Sequence, residues 1–325
     1  MADLDLLLER TSRTFALSIP LLPEPTRREV TIAYLLFRIA DTFEDCFSWP
    51  RDRRIEALER FCALLRLTDG ATAAAPGAEG QGAAESWVIE ARQLASRWAV
   101  EMPVSHDGYR ELLEETPQVL QEYASLRAEA RGLIGRHTVR TATGMARYVA
   151  GTGDDGRLQL QTLQDLRDYC YVVAGIVGEM LTELFLLGRP TLRSIGPYLR
   201  ERSRAFGEGL QLVNILKDSA TDIREGRAYI PAAVQRAEVF DLARLDLEAA
   251  SEYTLALQSS GAETGLVAFN ALPVRLAWAT LDRVERGGPG AKISRAEVWE
   301  IVAELQQALQ SQRPAVSPPV GHPTG

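Results

Sequence analysis

Two pairs of aspartates have the residue type and the spacing to do chemistry. Asp41 and Asp45 are four residues apart, and so are Asp218 and Asp222. Because residues four apart lie on one face of a helix, each pair places two carboxylates side by side. Other acidic residues share this spacing, but these two pairs follow apolar runs that predict core helices. Both pairs also lie near a helix C-terminus, where the helix macrodipole disfavours anions. Each pair therefore needs a compensating cation.

The cation could be a metal ion or a basic side chain. Oxygen ligands without His or Cys favour Mg²⁺, which keeps coordination sites for water and substrate phosphate. The alternative is internal ion pairing, with Arg38 for the first pair and Lys217 or Arg224 for the second. Since two pairs occur in equivalent contexts, we favour the metal hypothesis.

Polar, basic and aromatic residues accompany the aspartates along the chain. Each alone is most often a surface or capping residue. Together with two Mg²⁺ sites, they would form a clamp for a diphosphate, whose charge both metal and guanidinium groups offset. These residues are Ser12, Arg13, Phe15, Arg38, Arg224 and Arg227.

The apolar segment 169–178 contains Gly175 and Gly178. A glycine inside a helix costs roughly 1 kcal/mol relative to alanine. The absent side chains allow close approach either of another helix or of a bulky apolar ligand. An apolar channel that leads to a diphosphate clamp would suit a prenyl diphosphate.

Helical periodicity runs through nearly the whole chain, which predicts a single all-α bundle. We expect one catalytic domain over residues 1–312, a flexible surface loop at 70–84, and a disordered Pro-rich tail at 313–325. The predicted helices span residues 26–46, 51–67, 86–100, 117–150, 163–187, 196–223, 242–258, 264–286 and 294–310.

Composition narrows the class of protein. Of 325 residues, 46% are hydrophobic and 25% charged, as in globular chains, and 36 basic against 44 acidic residues give a net charge of −8. General binding of nucleic acid is therefore not expected. We expect a cytoplasmic protein without a membrane span. The three cysteines lack metal-ligand spacing, and the N-terminus is acidic. Glu179 and Glu183 interrupt the apolar stretch at 171–187.

Four segments, taken together and in this order, resemble the squalene/phytoene synthase family. They are Ser12–Phe15, Tyr34–Asp45, Tyr169–Gly178 and Gln211–Asp222, and Gly226–Pro231 continues the last of them. The resemblance spans roughly residues 10–310, and the combination is far more specific than any one segment.

The resemblance implies an all-α isoprenoid synthase fold around a central cavity. It also implies head-to-head condensation of two prenyl diphosphates through a cyclopropyl diphosphate. Tyr169 would help remove the proton that closes the cyclopropane ring. Lys217 stands where the family commonly has Arg, which keeps the charge and loses the bidentate fork. The implied Mg²⁺ ligands are Asp41, Asp45, Asp218 and Asp222, and the implied substrate contacts are Ser12, Arg13, Phe15, Tyr34, Arg38, Gln211, Asn214 and Arg227.

Within the family, segments 269–281 and 291–295 are more similar to squalene synthases than to phytoene synthases. This likeness implies farnesyl diphosphate as substrate and NADPH as reductant, with Asn214, Lys217, Lys292 and Arg295 as cofactor contacts. A plain amphipathic helix followed by a basic capping turn is the alternative.

Several further expectations concern products and assembly. A relative without the hydride step would release presqualene diphosphate, hydroxysqualene, dehydrosqualene or phytoene, and a non-catalytic assembly factor of the same fold is a remote alternative. A monomer that makes peripheral membrane contact for product release is expected.

Overall fold

The computed structural model describes residues 3–12, 14–73, 78–102, 106–153 and 158–317; the side chains of residues 69–86 lie outside the description. Within these residues the chain is almost entirely helical, which confirms the all-α class. It divides into two compact units, Met1–Ala16 with Pro25–Gly156, and Leu17–Glu24 with Arg157–Gly325. The single domain predicted over residues 1–312 stays a prediction.

The helices up to residue 150 surround α3. Its buried apolar positions pack against α4, α7 and α8. A short 3₁₀ turn, Ile19–Leu21, follows α2. The helices are α1 (Leu4–Thr11), α2 (Phe15–Ser18), α3 (Thr26–Glu44), α4 (Arg51–Ala73), α5 (Ala78–Glu101), α6 (Asp107–Glu114), α7 (Thr116–Ala124) and α8 (Ala128–Ala150).

An aromatic cluster fixes the C-terminal end of α3. Phe43 is fully buried, and its ring lies 4.6 Å from that of Trp98 and 6.2 Å from that of Phe61. Edge-to-face contacts of this kind add to the free energy of burying the rings. The cluster therefore anchors the turn of α3 that carries Asp41 and Asp45.

The second half of the chain is built around the 29-residue helix α11. This helix packs against α10, α12 and α13. A π turn, Tyr171–Gly175, joins α9 to α10, and a 3₁₀ turn, Pro190–Leu192, precedes α11. The elements are β1 (Leu158–Gln159), α9 (Leu163–Cys170), α10 (Ile176–Leu186), α11 (Gly196–Arg224), β2 (Arg227–Ala228), α12 (Arg236–Ser259), α13 (Thr264–Gly287) and α14 (Arg295–Gln310).

Glycines bring α10 and α11 into backbone contact. A Cβ on Gly178 would lie 1.9 Å from the carbonyl oxygen of Ser203, and a Cβ on Gly207 would lie 2.0 Å from that of Ala174. No side chain fits at these separations. Helix packing, one of the two explanations offered by the sequence, accounts for Gly178.

Two predicted boundaries differ from the structure. The predicted helix over 117–150 is two helices, α7 and α8, that end and begin around residues 125–127. The predicted loop at 70–84 is wrong where the backbone is described, because α4 continues to Ala73 and α5 begins at Ala78. Alanine is the best helix former, which outweighs the glycines there.

The tail prediction is wrong for its first residues. Ala315 and Val316 are buried, and the Ala315 carbonyl accepts a hydrogen bond of 2.6 Å from Arg275 Nε. Gln258 binds the same segment twice, since its Nε2 donates to the Arg313 carbonyl and its Oε1 accepts from the Ala315 amide, each at 2.8 Å. Side chains of α12 and α13 thus supply partners that proline-rich backbone lacks. Residues 318–325 of the predicted tail lie outside the described residues.

One helical stretch, Leu163–Leu186, is long and apolar enough to cross a membrane by length and composition. About 56% of its apolar window is buried inside the protein, and a core helix of a globular protein passes the same test. The segment contains the buried contacts of α10 with α11, which account for its apolar character.

Candidate active site

The first aspartate pair lies at the C-terminal end of α3, as the spacing predicts. Asp45 is the C-cap residue, and its amide donates a 2.8 Å hydrogen bond to the Asp41 carbonyl. Arg38 Nη1 lies 3.3 Å from Asp41 Oδ2. Burial raises the pKa of Asp41 to about 6, Arg38 lowers it, and the charge of Asp45 raises it further. A divalent cation bound here would stabilise the ionised form of both carboxyls.

Arg38 is held by aromatic side chains as well as by Asp41. Its Nε donates to the Tyr34 hydroxyl at 3.3 Å, and its guanidinium lies 5.6 Å from the Tyr34 ring and 5.7 Å from the Tyr109 ring. Burial lowers the pKa of Arg38, but Asp41 and the two phenols more than reverse this, so the pKa is raised. The cation is therefore permanent. Tyr109, which sequence reasoning missed, belongs to this group.

The residues after α1 are fastened to the same surface of α3. Ser12 Oγ accepts a hydrogen bond of 2.9 Å from the Phe15 amide, and the Tyr34 hydroxyl donates to the Thr11 carbonyl at 2.7 Å. The Phe15 and Tyr34 rings lie 5.7 Å apart. The structure thus brings Ser12, Phe15 and Tyr34 together beside Arg38. Arg13 lies outside the described residues.

The second aspartate pair lies at the C-terminal end of α11. Lys217 Nζ lies 3.2 Å from Asp218 Oδ2 and donates to Asn214 Oδ1 at 3.1 Å. The Asp218 side chain is 41% exposed and open to a further ligand. Gln211 lies on the same helix three residues before Asn214 and is half-buried.

Asp222 is buried against Arg227. Both Nη2 and Nε of Arg227 donate to Asp222 Oδ1, at 2.9 and 3.2 Å. Arg224, which the sequence offered together with Lys217 as an ion-pair partner for these aspartates, instead donates to the Ala220 carbonyl and the Thr221 hydroxyl on its own helix. Ion pairing, the alternative to metal binding, is thus present for Asp41, Asp218 and Asp222. A paired carboxylate still has lone pairs for a cation, so these pairs do not exclude a metal.

Arg227 begins the short strand β2, which pairs with β1 and leads to a contact with the predicted proton-transfer residue. Leu158 pairs with Arg227, and Gln159 pairs with Ala228. Tyr229 follows, and its ring stacks on that of Tyr169 with centroids 4.8 Å apart.

The two tyrosines are hydrogen-bonded within the core. The Tyr169 hydroxyl donates to the Tyr229 hydroxyl at 3.2 Å, and both residues are buried. Two residues, Ala228 and Tyr229, therefore link Arg227 to the hydroxyl of Tyr169. Sequence reasoning missed Tyr229, although it lies in the Gly226–Pro231 segment that carries the resemblance.

Two of the predicted cofactor contacts, Lys292 and Arg295, lie on or after a loop that is hydrogen-bonded to the end of α11. The Gly290 amide donates to the Lys217 carbonyl at 2.7 Å, so the loop before α14 is fastened next to Asp218. Lys292 and Arg295 are exposed on and after this loop. Ser294 caps α14 in a capping box with Glu297, so the cap does not use either base. Exposed ammonium and guanidinium groups on and after this loop suit a phosphate-bearing cofactor.

Acidic, histidine and cysteine side chains alone do not form a complete metal site in the described part of the chain. Among residues 3–12, 14–73, 78–102, 106–153 and 158–317, no group of three or more such side chains is arranged to hold a metal ion. Two carboxylates on each helix end match the mode of Mg²⁺, which is held by one or two carboxylates together with substrate phosphates and water.

A cavity of about 500 Å³ lies between α4 and α8. Its walls include Leu58, Cys62 and Ala146. None of the predicted site residues lines this cavity, so it is not the predicted substrate site.

The sequence of residues 8–300 matches the family model described as squalene/phytoene synthase. The chain belongs to the squalene/phytoene synthase family. Among curated relatives, the squalene synthase of Eremothecium gossypii is 30% identical over 243 residues, covering 73% of this chain and 47% of the relative. Those of Schizosaccharomyces pombe and Gibberella zeae are each 28% identical, covering 70% and 93% of this chain and 43% and 63% of the relatives. The chain spans about half the length of the curated relatives it matches.

Solved structures agree on the fold of this squalene/phytoene synthase family member. A complex of TcSQS with a ligand has a TM-score of 0.69 at 24% identity, covering 95% of this chain and 88% of that one. A dehydrosqualene synthase complex has a TM-score of 0.54 at 17% identity, covering 95% of both chains. The predicted all-α isoprenoid synthase fold is confirmed.

Proposed function

We propose that this chain is a squalene synthase that condenses two farnesyl diphosphates head to head into presqualene diphosphate and reduces that product to squalene with NADPH. The observation that carries the proposal is the connection from Asp222 through Arg227 to Tyr229 and Tyr169. It joins the helix end that carries Asp222, with Arg227 beside it, to a buried, hydrogen-bonded phenol. The similarity to curated squalene synthases supports the choice within the family.

Diphosphate binding falls to the two helix ends. Mg²⁺ held by Asp41, Asp45, Asp218 and Asp222 would supply charge that offsets the leaving diphosphate. Arg38 adds a fixed guanidinium whose orientation is set by Tyr34 and Asp41, and Ser12 lies beside it, where Arg13 is predicted to contribute. Arg227 adds a second guanidinium at the other end.

Proton removal and reduction fall to residues around α11. Tyr169 would help remove the proton whose loss closes the cyclopropane ring, by passing its own hydroxyl proton toward Tyr229 as it takes up the new one, and Tyr229 orients its hydroxyl. Gln211 and Asn214 line the site of the second step, in which presqualene diphosphate is reduced. Lys217, Lys292 and Arg295 bind the phosphates of NADPH without a Rossmann unit, because the described chain has no strand–glycine loop–helix arrangement. A monomer, a cytoplasmic location and peripheral membrane contact stay predictions.

One incubation tests the proposal. Labelled farnesyl diphosphate is supplied with Mg²⁺, with and without NADPH, and products are separated by chromatography. Squalene that forms only with NADPH, and presqualene diphosphate that accumulates without it, are the expected results. Identical products with and without NADPH refute the hydride step, and no prenyl product under any condition refutes the synthase.

A further inference from the structure

Two carboxyl side chains that have no part in the roles above are buried between α11 and α12. Glu208 is 1% exposed and Asp246 is 4% exposed. Gly209 brings the helices together here, since a Cβ on it would lie 3.2 Å from the Asp246 Cβ. Buried acids of this kind are rare unless they are paired or protonated.

The hydrogen bonds of the two carboxyls are unequal. Arg204 Nε donates to Glu208 Oε1 one turn away. Asp246 Oδ2 is buried and has no hydrogen-bond partner among the described residues. An ionised oxygen left in that condition is strongly disfavoured, whereas a protonated carboxyl is neutral and can itself donate.

The charged and titratable groups around the pair come from α9 and α11. Burial raises the pKa of Asp246 to about 7, the charge of Glu208 raises it further, and Arg167 and Arg204 lower it. Burial likewise raises the pKa of Glu208; the hydrogen bond and charge of Arg204 and the charge of Arg167 lower it, and the charge of Asp168 adds to the rise. Burial also raises the pKa of the neighbouring Cys170 thiol, and both carboxylates add to the effect. The site therefore favours fewer negative charges than its residues could carry.

One member of the pair, Glu208, is in contact with the π turn that follows Tyr169. A Cβ on Gly175 would lie 2.8 Å from Glu208 Oε1, so the carboxyl occupies the space that this glycine leaves. The Arg204 guanidinium also lies 4.4 Å from the Tyr171 ring. π turns occur frequently at functional sites, where the extra residue re-aims the side chains beside it.

We propose that Glu208 and Asp246 hold one proton between them, and that in this state they fix the π turn and so position Tyr169 for the cyclopropane-forming step. The inference rests on the proposed function of Tyr169. Both are positioning residues, because they act through Gly175 and Tyr171. Loss of the proton leaves two negative charges in one buried place and weakens their contact with the turn.

The direction of the pH effect follows from the raised pKa values. The protonated pair is present at low pH and is lost as the pH rises through about 7. If one proton is required, the rate of presqualene diphosphate formation falls about tenfold for each pH unit above that midpoint. Conversion of supplied presqualene diphosphate does not need the proton removal and keeps its own pH profile.

The test compares the unmodified protein with Asp246→Asn, which keeps the shape of a protonated carboxyl. Glu248→Gln, a half-exposed acid on the same helix, is the matched control. We expect the unmodified protein and the control to lose presqualene diphosphate formation as the pH rises, and Asp246→Asn to retain it. The same alkaline loss in Asp246→Asn, or no activity at any pH in a folded variant, overturns the proposal.

A second measurement requires neither activity nor a folded Asp246 variant. Infrared spectra of Asp41→Asn, in which Asp41 cannot contribute, should show a protonated carboxyl band at neutral pH that disappears as the pH rises. If the unmodified protein has synthase activity and Asp41→Asn lacks this band, the shared proton is overturned and the proposed function stands. If the band is present in Asp41→Asn and the unmodified protein has no synthase activity, the shared proton is supported and the proposed function is refuted.

Discussion

Replacing Tyr229 with phenylalanine removes one hydroxyl from the stacked tyrosine pair and leaves its rings in place. The rings are 4.8 Å apart with an interplanar angle of 28°, and a phenylalanine ring satisfies the same contact. The Tyr169 hydroxyl loses the 3.2 Å hydrogen bond that orients it. The perturbation therefore keeps the ring contact and removes the hydrogen bond between the two hydroxyls.

The expected effect follows from that bond. A neutral hydrogen bond contributes about 1 kcal/mol net. If it acts only by orienting Tyr169, its loss lowers the rate of cyclopropane formation by about fivefold, since 1.36 kcal/mol corresponds to tenfold in rate. The free energy of unfolding should fall by a similar amount, because both hydroxyls lie in the core.

The assay measures the two half-reactions separately. Formation of presqualene diphosphate from farnesyl diphosphate should slow in Tyr229→Phe, while conversion of supplied presqualene diphosphate should stay within a factor of about two. Tyr198→Phe is the control, because Tyr198 is an exposed tyrosine of the same unit that also donates to a carboxylate. A Tyr229→Phe variant with an unchanged first half-reaction, or with equal losses in both, would refute the orienting role of Tyr229.

Four further predictions test other parts of the site and the fold. Asp41→Asn and Asp218→Asn should each reduce turnover to a few per cent or less with the fold intact by circular dichroism, since each removes a carboxylate proposed to bind Mg²⁺; normal rates at ordinary Mg²⁺ would contradict the metal hypothesis. Tyr169→Phe should abolish presqualene diphosphate formation yet convert supplied presqualene diphosphate, and failure on both substrates would make Tyr169 structural. Gly178→Ala should lower the free energy of unfolding by about 3 kcal/mol in urea titrations because of the 1.9 Å approach to Ser203, whereas Gly132→Ala, whose nearest neighbour is 3.6 Å away, should be neutral or stabilising. Replacing both Lys292 and Arg295 with alanine should raise the NADPH concentration needed for half-maximal squalene formation at least about tenfold and spare the first half-reaction; an unchanged requirement would leave these exposed bases without a cofactor role.

The residues that sequence analysis identified are those whose role depends on local spacing. Asp41 and Asp45, or Asp218 and Asp222, share a helix face because helices have 3.6 residues per turn, whatever surrounds them. Arg38 is one turn from Asp41 and pairs with it for the same reason. Helix ends near Asp45 and Asp222 were predictable from the end of the apolar pattern.

The features that the sequence did not predict depend on residues far apart in the chain. Residues 313–317 begin the Pro-rich tail that was expected to be disordered, but Gln258 and Arg275 supply their hydrogen bonds from 40 to 57 residues away. Tyr229 was overlooked because its partner Tyr169 is 60 residues earlier. Its place in the Gly226–Pro231 segment was the available indication, since strand alternation puts Arg227 and Tyr229 on one side.

The buried acids illustrate why burial is harder to predict than spacing. Glu208 precedes Gln211 on α11 and follows two residues of apolar or small type, while Asp246 lies in a run that alternates acids with leucines. Either would be assigned to a solvated face by composition alone. Only the close approach of α12 at Gly209 and of the π turn at Gly175 encloses them. The same glycines that let helices touch therefore create the apolar surroundings in which a carboxyl holds its proton near neutral pH, which couples the packing of α11 to the protonation state beside Tyr169.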